Sequence, residues 1–193
     1  MAEALIPLVE EVRACRLCEA RLPHAPRPVL RADPRARLLV VGQAPGTRVH
    51  ETGIPWNDPS GEQLRDWLAM SPEEFYDISR VAIIPMGLCY PGRGRGGDLP
   101  PRPECAPTWH PRLRAALPGI RLTLLVGRHA QAWYLATGRE RLGDTVWRYR
   151  DFLPGFFPLP HPSPRNRKWL RERPWFEQRV VPALRREVRR ALD

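Results

Sequence analysis

The sequence predicts an α/β fold, a three-layer α/β/α sandwich around a mostly parallel four-stranded central sheet, and three observations predict it. Four short apolar runs, Leu38–Val41, Val81–Ile84, Leu122–Val126 and Phe156–Leu159, have strand length and suit burial on both faces. Stretches with helical spacing of apolar residues separate them, and that alternation implies a parallel sheet with helices on its two sides. At 193 residues, 42% of them apolar, the chain fits one domain, residues 1–193, with a real core.

Residues 2–14 place Leu5, Leu8, Val9 and Val12 at helical spacing, so a short amphipathic helix leads into Cys15. The first strand run breaks at Gly42-Gln43-Ala44-Pro45-Gly46, where two glycines free the backbone, Pro45 stiffens it, and Gln43 offers both a donor and an acceptor. From Thr47 to Gly61 the chain reads as a polar loop carrying His50, Glu51, Trp56, Asn57 and Asp58. A helix is expected from Glu62 to Met70 on the apolar face Leu64, Trp67 and Leu68, and Ser71-Pro72-Glu73-Glu74 reads as the start of another. Pro91 to Glu104 is a Gly/Pro-rich loop, and helices are expected over Trp109–Leu117 and His129–Ala136. The last strand delivers His161-Pro162-Ser163-Pro164-Arg165-Asn166, and from Trp175 onward Phe176, Val180, Leu184 and Val188 mark a basic helix bent at Pro182. Open α/β sheets bind ligands beyond the carboxyl ends of their strands, where residues 42–46 and 161–166 both fall.

Charge narrows the partner. Thirty-one Lys and Arg oppose 21 Asp and Glu, a net +10 carried almost wholly by arginine, whose planar fork suits phosphate. A polyanion, DNA or RNA first, is the expected partner. No apolar run approaches the ~20 residues of a membrane span. Glu3, Glu10 and Glu11 stand where a signal peptide would be basic and then apolar, so the reading is a cytoplasmic monomer with no membrane partner. All the cysteines enter one pattern: Cys15 and Cys18 form a C-x-x-C at a helix end, and Cys89 and Cys105 bracket the glycine-rich loop. In a cytosolic protein this spacing argues for metal or redox chemistry, and with one close pair an iron–sulfur cluster is at least as compatible as zinc.

Taken together these segments resemble the uracil-DNA glycosylase superfamily, and within it the iron–sulfur branch. Gly42-Gln43-Ala44-Pro45-Gly46 is similar to the first glycosylase motif and His161-Pro162-Ser163-Pro164 to the second. Gly53-Ile54-Pro55-Trp56 through Ser60-Gly61 resembles the Gly-x-Pro-Phe segment with its later glycine. The resemblance implies that Cys15, Cys18, Cys89 and Cys105 hold a 4Fe-4S cluster, with zinc as the alternative. It further implies DNA, double- or single-stranded, as partner and base excision repair as the activity. The reaction is hydrolysis of the N-glycosidic bond of uracil or another deaminated or damaged base.

That reaction builds positive charge on the sugar and negative charge on the departing base. His161 suits stabilisation of the leaving anion, because a neutral imidazole can donate to a base carbonyl oxygen. Trp56 suits stacking on a flipped base. Gln43 and Ala44 belong to the base-binding wall, while Ser163, Arg165, Arg167, Lys168 and Arg171 form a DNA-binding footprint. The motif departs from the family at Gln43 and Ala44, where relatives carry Glu or a catalytic Asp, so Glu51, Asp58 and Gln43, with His50 and Asn57 beside them, are the candidates to orient water. Pro85 stands where relatives place a uracil-reading Asn, and Arg165 where several place an apolar wedge. Two alternatives therefore stay open: a catalytically inactive module that recognises damaged DNA, and a glycosylase for a base other than uracil.

Overall fold

The computed structural model describes residues 5–137 and 140–193. Strands β1 (Leu38–Val41), β2 (Val81–Ile83), β5 (Leu122–Val126) and β6 (Phe156–Leu159) form one parallel sheet in the order β2-β1-β5-β6. Register is set by Leu38 opposite both Val81 and Leu122, and by Thr123 opposite Phe156. Alternation along β1 serves two cores. Leu38 and Val40 face a layer built from α3 (Pro59–Leu68), α4 (Pro72–Tyr76) and the C-terminal helix, with Leu64, Trp67, Phe75, Phe176 and Leu184 buried there. Leu39 and Val41 face α1 (Leu5–Arg13), α5 (Cys105–Ala115) and α6 (Arg128–Leu135), against Leu8, Val12, Trp109, Leu113 and Ala130. The sandwich has three layers, as expected, and its four strands pair in parallel, with one antiparallel bridge from Arg31 to Ile83 on the β2 edge.

Several boundaries move, each for a local reason. Helix α1 begins at Leu5 among the described residues, and residues 1–4 lie outside them. The expected loop 47–61 contains helix α2 (Thr47–Thr52), whose one buried apolar residue, Val49, leaves no periodic signal. Helix α3 starts at Pro59, three residues early, because Asp58 caps it by accepting from the Gly61 amide at 2.8 Å. Ser71 makes the expected capping box with Glu74 at α4. Helix α5 starts at Cys105 and carries Pro111 in its interior, which hides its first turn from a search for apolar spacing. The Gly/Pro-rich loop holds a small antiparallel hairpin, β3 (Arg93–Gly94) and β4 (Gly97–Asp98). Helices α7 (Leu142–Trp147) and α8 (Arg167–Arg171) are too short for pattern recognition. Near Pro182 the C-terminal segment runs as a π-helical turn, Phe176–Val180, into α9 (Val181–Leu192). Pro182 has no N–H to return to Gln178, and the widened turn absorbs the missing bond.

Candidate active site

Strand β1 leads toward β2 on one side of the sheet while β5 leads toward β6 on the other, so the chain diverges between β1 and β5. A cavity of about 440 Å³ opens over those strand ends. Its walls are the loop 42–46 after β1, the turn around Trp56, the β3–β4 hairpin and the loop 161–166 after β6. Such a switch point is where open α/β sheets bind ligands.

Trp56 is held in a left-handed backbone conformation, φ 58°, which costs a bulky residue roughly 1–3 kcal/mol and survives only where neighbours over-determine it. Here they do. The Tyr76 hydroxyl donates to the Pro55 carbonyl at 3.0 Å, and Arg65 donates to the Trp56 carbonyl at 3.2 Å. Gly42 is required because a β-carbon there would stand 2.8 Å from the indole, and at Gly61 one would run into the Trp56 carbonyl. The indole thus lies on the backbone of the first motif with its ring centroid 5.6 Å from that of His161.

His161 is positioned from both sides. Asn166 donates to its carbonyl at 2.7 Å, and Gly127, which takes a left-handed φ of 89° after β5, packs beside its side chain. Burial pushes the imidazole below its ordinary range against a weaker pull from Asp58, so the ring is neutral at pH 7. Gln43 gives its amide to the Leu99 carbonyl at 3.2 Å, tying the first motif to the end of the hairpin, and Ala44 lines the cavity beside it.

The candidate acids separate. Glu51 lies exposed on α2, outside the cavity wall, so the structure does not bring it to the site. Asp58 lines the cavity but spends one oxygen on the start of α3. A third acid, Asp98 of β4, was not among the sequence candidates. It lines the cavity with Oδ2 3.3 Å from where a Gly46 β-carbon would lie. Partial desolvation raises its carboxyl above the usual range, with Arg93 and Arg165 opposing and Asp58 reinforcing the rise. The only sequence signal for it was a lone acid in Arg93-Gly94-Arg95-Gly96-Gly97-Asp98.

Pro85 also lines the cavity, and its carbonyl is turned away into a buried relay. His110 meets it through Nε2 at 3.0 Å and Tyr134 through Nδ1 at 2.7 Å. A carbonyl only accepts, so Nε2 carries the proton and the Tyr134 hydroxyl, its pKa pushed up to about 12 by burial, donates to Nδ1. Ser163 turns its hydroxyl to the Arg165 amide at 3.3 Å. Arg165 lines the cavity but its guanidinium is bonded to the Gly96 carbonyl, latching the hairpin to the second motif, and any side chain at Gly97 would collide with it. Arg167, Lys168 and Arg171 stand exposed on α8 beside the cavity and outside its wall.

The four thiols converge elsewhere. Cys15, Cys18, Cys89 and Cys105 line one recess with Leu17, Leu22, Pro26, Pro28 and Trp109. They ring it without meeting at a point, since no group of three or more His, Cys, Asp or Glu among the described residues is gathered for a single ion. One backbone amide reaches a sulfur: Leu88 donates to Cys105 at 3.3 Å. Burial pushes the Cys89 thiol to about 11 and Cys105 to about 12, so thiolates here require a positive partner. Arg21 and Arg102 both pair with Glu104 near the recess.

A parallel sheet that brings a Gly-Gln-Ala-Pro-Gly loop and a His-Pro-Ser-Pro loop over one cavity defines a class. A family model described as the uracil DNA glycosylase superfamily matches residues 31–185, and the chain belongs to that superfamily. Along 185 residues it is 25% identical to a type-4 uracil-DNA glycosylase of Sulfurisphaera tokodaii, covering 88% of this chain and 81% of that protein. No helix among the described residues is long and apolar enough to cross a membrane.

Proposed function

We propose that the protein hydrolyses the N-glycosidic bond of a deaminated base in DNA, uracil among them, and carries a structural 4Fe-4S cluster on Cys15, Cys18, Cys89 and Cys105. One observation carries the reading: a neutral His161 and a carboxylate, Asp98, line the same cavity, which Trp56 also walls. In this reading the flipped base stacks on Trp56 within the wall formed by Gln43 and Ala44. His161 donates to the carbonyl oxygen on which charge gathers as the C–N bond breaks and its electron pair leaves with the base. Asp98 accepts the proton of the water that adds to the sugar carbon. Asp98 replaces Asp58 and Glu51 in that role because Asp58 is bonded to its helix and Glu51 is outside the cavity.

The thiols fit a cluster better than zinc, which demands four ligands at about 2.3 Å from one point. When bound, the cluster supplies the positive charge that buried thiolates need and ties α1 to α5. Ser163, Arg165, Arg167, Lys168 and Arg171 are assigned to the phosphate footprint, with Arg165 acting chiefly as the hairpin latch. Pro85 offers no amide edge, which supports a base range wider than uracil. The test is single-turnover base release from oligonucleotides carrying one uracil, hypoxanthine, xanthine or no lesion, read by alkaline cleavage of the abasic site. Release from any lesion supports the reading. No release from any, with binding retained, leaves a recognition module in its place.

A further inference from the structure

A third hollow, of about 350 Å³, lies between α7 and the far end of α8, outside the glycosylase cavity and the cysteine recess. Tryptophans dominate its wall: Trp147 from α7, Trp169 from α8 and Trp175. Their rings are interlocked edge to face, Trp147 with Trp175 at 5.1 Å and Trp169 with Trp175 at 6.0 Å. Arginines flank them. Arg173 lies over Trp169 at 4.7 Å and Arg179 over Trp147 at 4.5 Å, while Arg141 also lines the hollow. Packing alone does not account for Trp147, which remains 47% exposed.

We propose that this hollow takes one unpaired nucleotide of a single-stranded DNA segment, the base stacked on the tryptophans and the phosphate near Arg141. Three observations point to that occupant. Indoles packed with arginine, a guanidinium lying over one face of Trp169 and of Trp147, are the kind of surface single strands bind without regard to sequence, since every base has a π-face. The hollow also lies near the glycosylase cavity along the chain: Asn166 lines the cavity and Trp169 the hollow, three residues apart and roughly 5 Å of helix rise. Between them α8 presents Arg167, Lys168 and Arg171, so the path from one site to the other is cationic. Lys168 is drawn partly to Glu172 at 3.8 Å, and Asp144 is the acid of the wall, placed on the α7 side.

The geometry supplies two variants with opposite logic. Trp147→Ala removes the stacking face. Gly143→Leu fills the hollow instead, because a β-carbon at Gly143 points at Trp169 and Arg173 with ordinary contacts of 3.6 Å and the backbone there is unstrained. The inference rests on the DNA reading above but not on base release. The measurement is fluorescence anisotropy of the full chain with a lesion-free thymidine oligomer of about 15 nucleotides, and with a blunt duplex of similar length.

Each variant should weaken single-strand binding by about 5- to 150-fold, the equivalent of one stacked base. Duplex affinity should stay within about twofold, and Trp147→Ala should leave the salt slope unchanged because no phosphate contact is lost. Melting curves check that both variants fold, and Gly143→Leu keeps every tryptophan should Trp147→Ala unfold. Single-strand affinity equal to wild type in a folded Gly143→Leu protein, or no single-strand binding by wild type, overturns the proposal. Wild type that releases no base while both variants still lose single-strand affinity overturns the glycosylase reading instead.

Discussion

Replacing Asp98 with Asn tests the chemistry most directly. The change keeps the volume that packs 3.3 Å from the Gly46 β-carbon position, and removes only the charge and the capacity to take a proton. A positioned base is worth about 10²–10⁴ in rate, so single-turnover release should fall by that factor with DNA affinity unchanged. The pH profile follows from the environment. Desolvation raises the Asp98 carboxyl, so wild-type activity should fall as acid titrates it at a pH above that of an ordinary aspartate, and Asp98→Asn should lose that limb. Stability moves the other way. A carboxyl whose folded pKa is raised favours the folded state only while protonated, and that advantage is lost as pH rises through it, so the asparagine should be no less stable at pH 7. Asp58→Asn is the control. Asparagine caps a helix as well as aspartate does, so α3 should persist and the rate should stay within several-fold. Full activity in Asp98→Asn together with loss in Asp58→Asn would refute the assignment and return the role to Asp58.

His161→Ala should cost about 10²–10³ in release rate, by analogy with removal of one oxyanion donor, while lesion-free DNA binds as before. Filter binding alongside the rate assay checks it, and a His161→Ala protein of wild-type rate would sink the leaving-group role. Neutralising Arg167 and Lys168 together should weaken DNA binding, each lost phosphate contact reducing the log–log salt slope by about 0.9 on duplex or about 0.7 on single strands. An unchanged slope would place the footprint away from α8. Protein purified without oxygen should be brown and contain iron, and Cys89→Ala should lose the colour and lower the melting temperature. A colourless protein with one zinc per chain would overturn the cluster.

The four strands, their order of appearance and the two loops that matter were legible in the sequence. Apolar runs of strand length and glycine-proline breaks are local consequences of burial and backbone freedom. The resemblance carried the class, because Gly42–Gly46, His161–Pro164 and four spaced cysteines are short patterns that survive at low identity. The acids were not legible. Glu51, Asp58 and Asp98 are equivalent as letters, and what separates them is tertiary: which one caps a helix, which faces outward, and which a hairpin latched by Arg165 folds over Gly46. The same holds for the cavity and the tryptophan hollow. Trp56 reaches its place because Gly42 and Gly61, nineteen positions apart, both leave room for it, and Trp147 and Trp169, from two short helices, line one hollow by each packing on Trp175. A side chain's chemistry is written in the sequence, but its solvent exposure and partners depend on segments distant along the chain, and only packing brings those together.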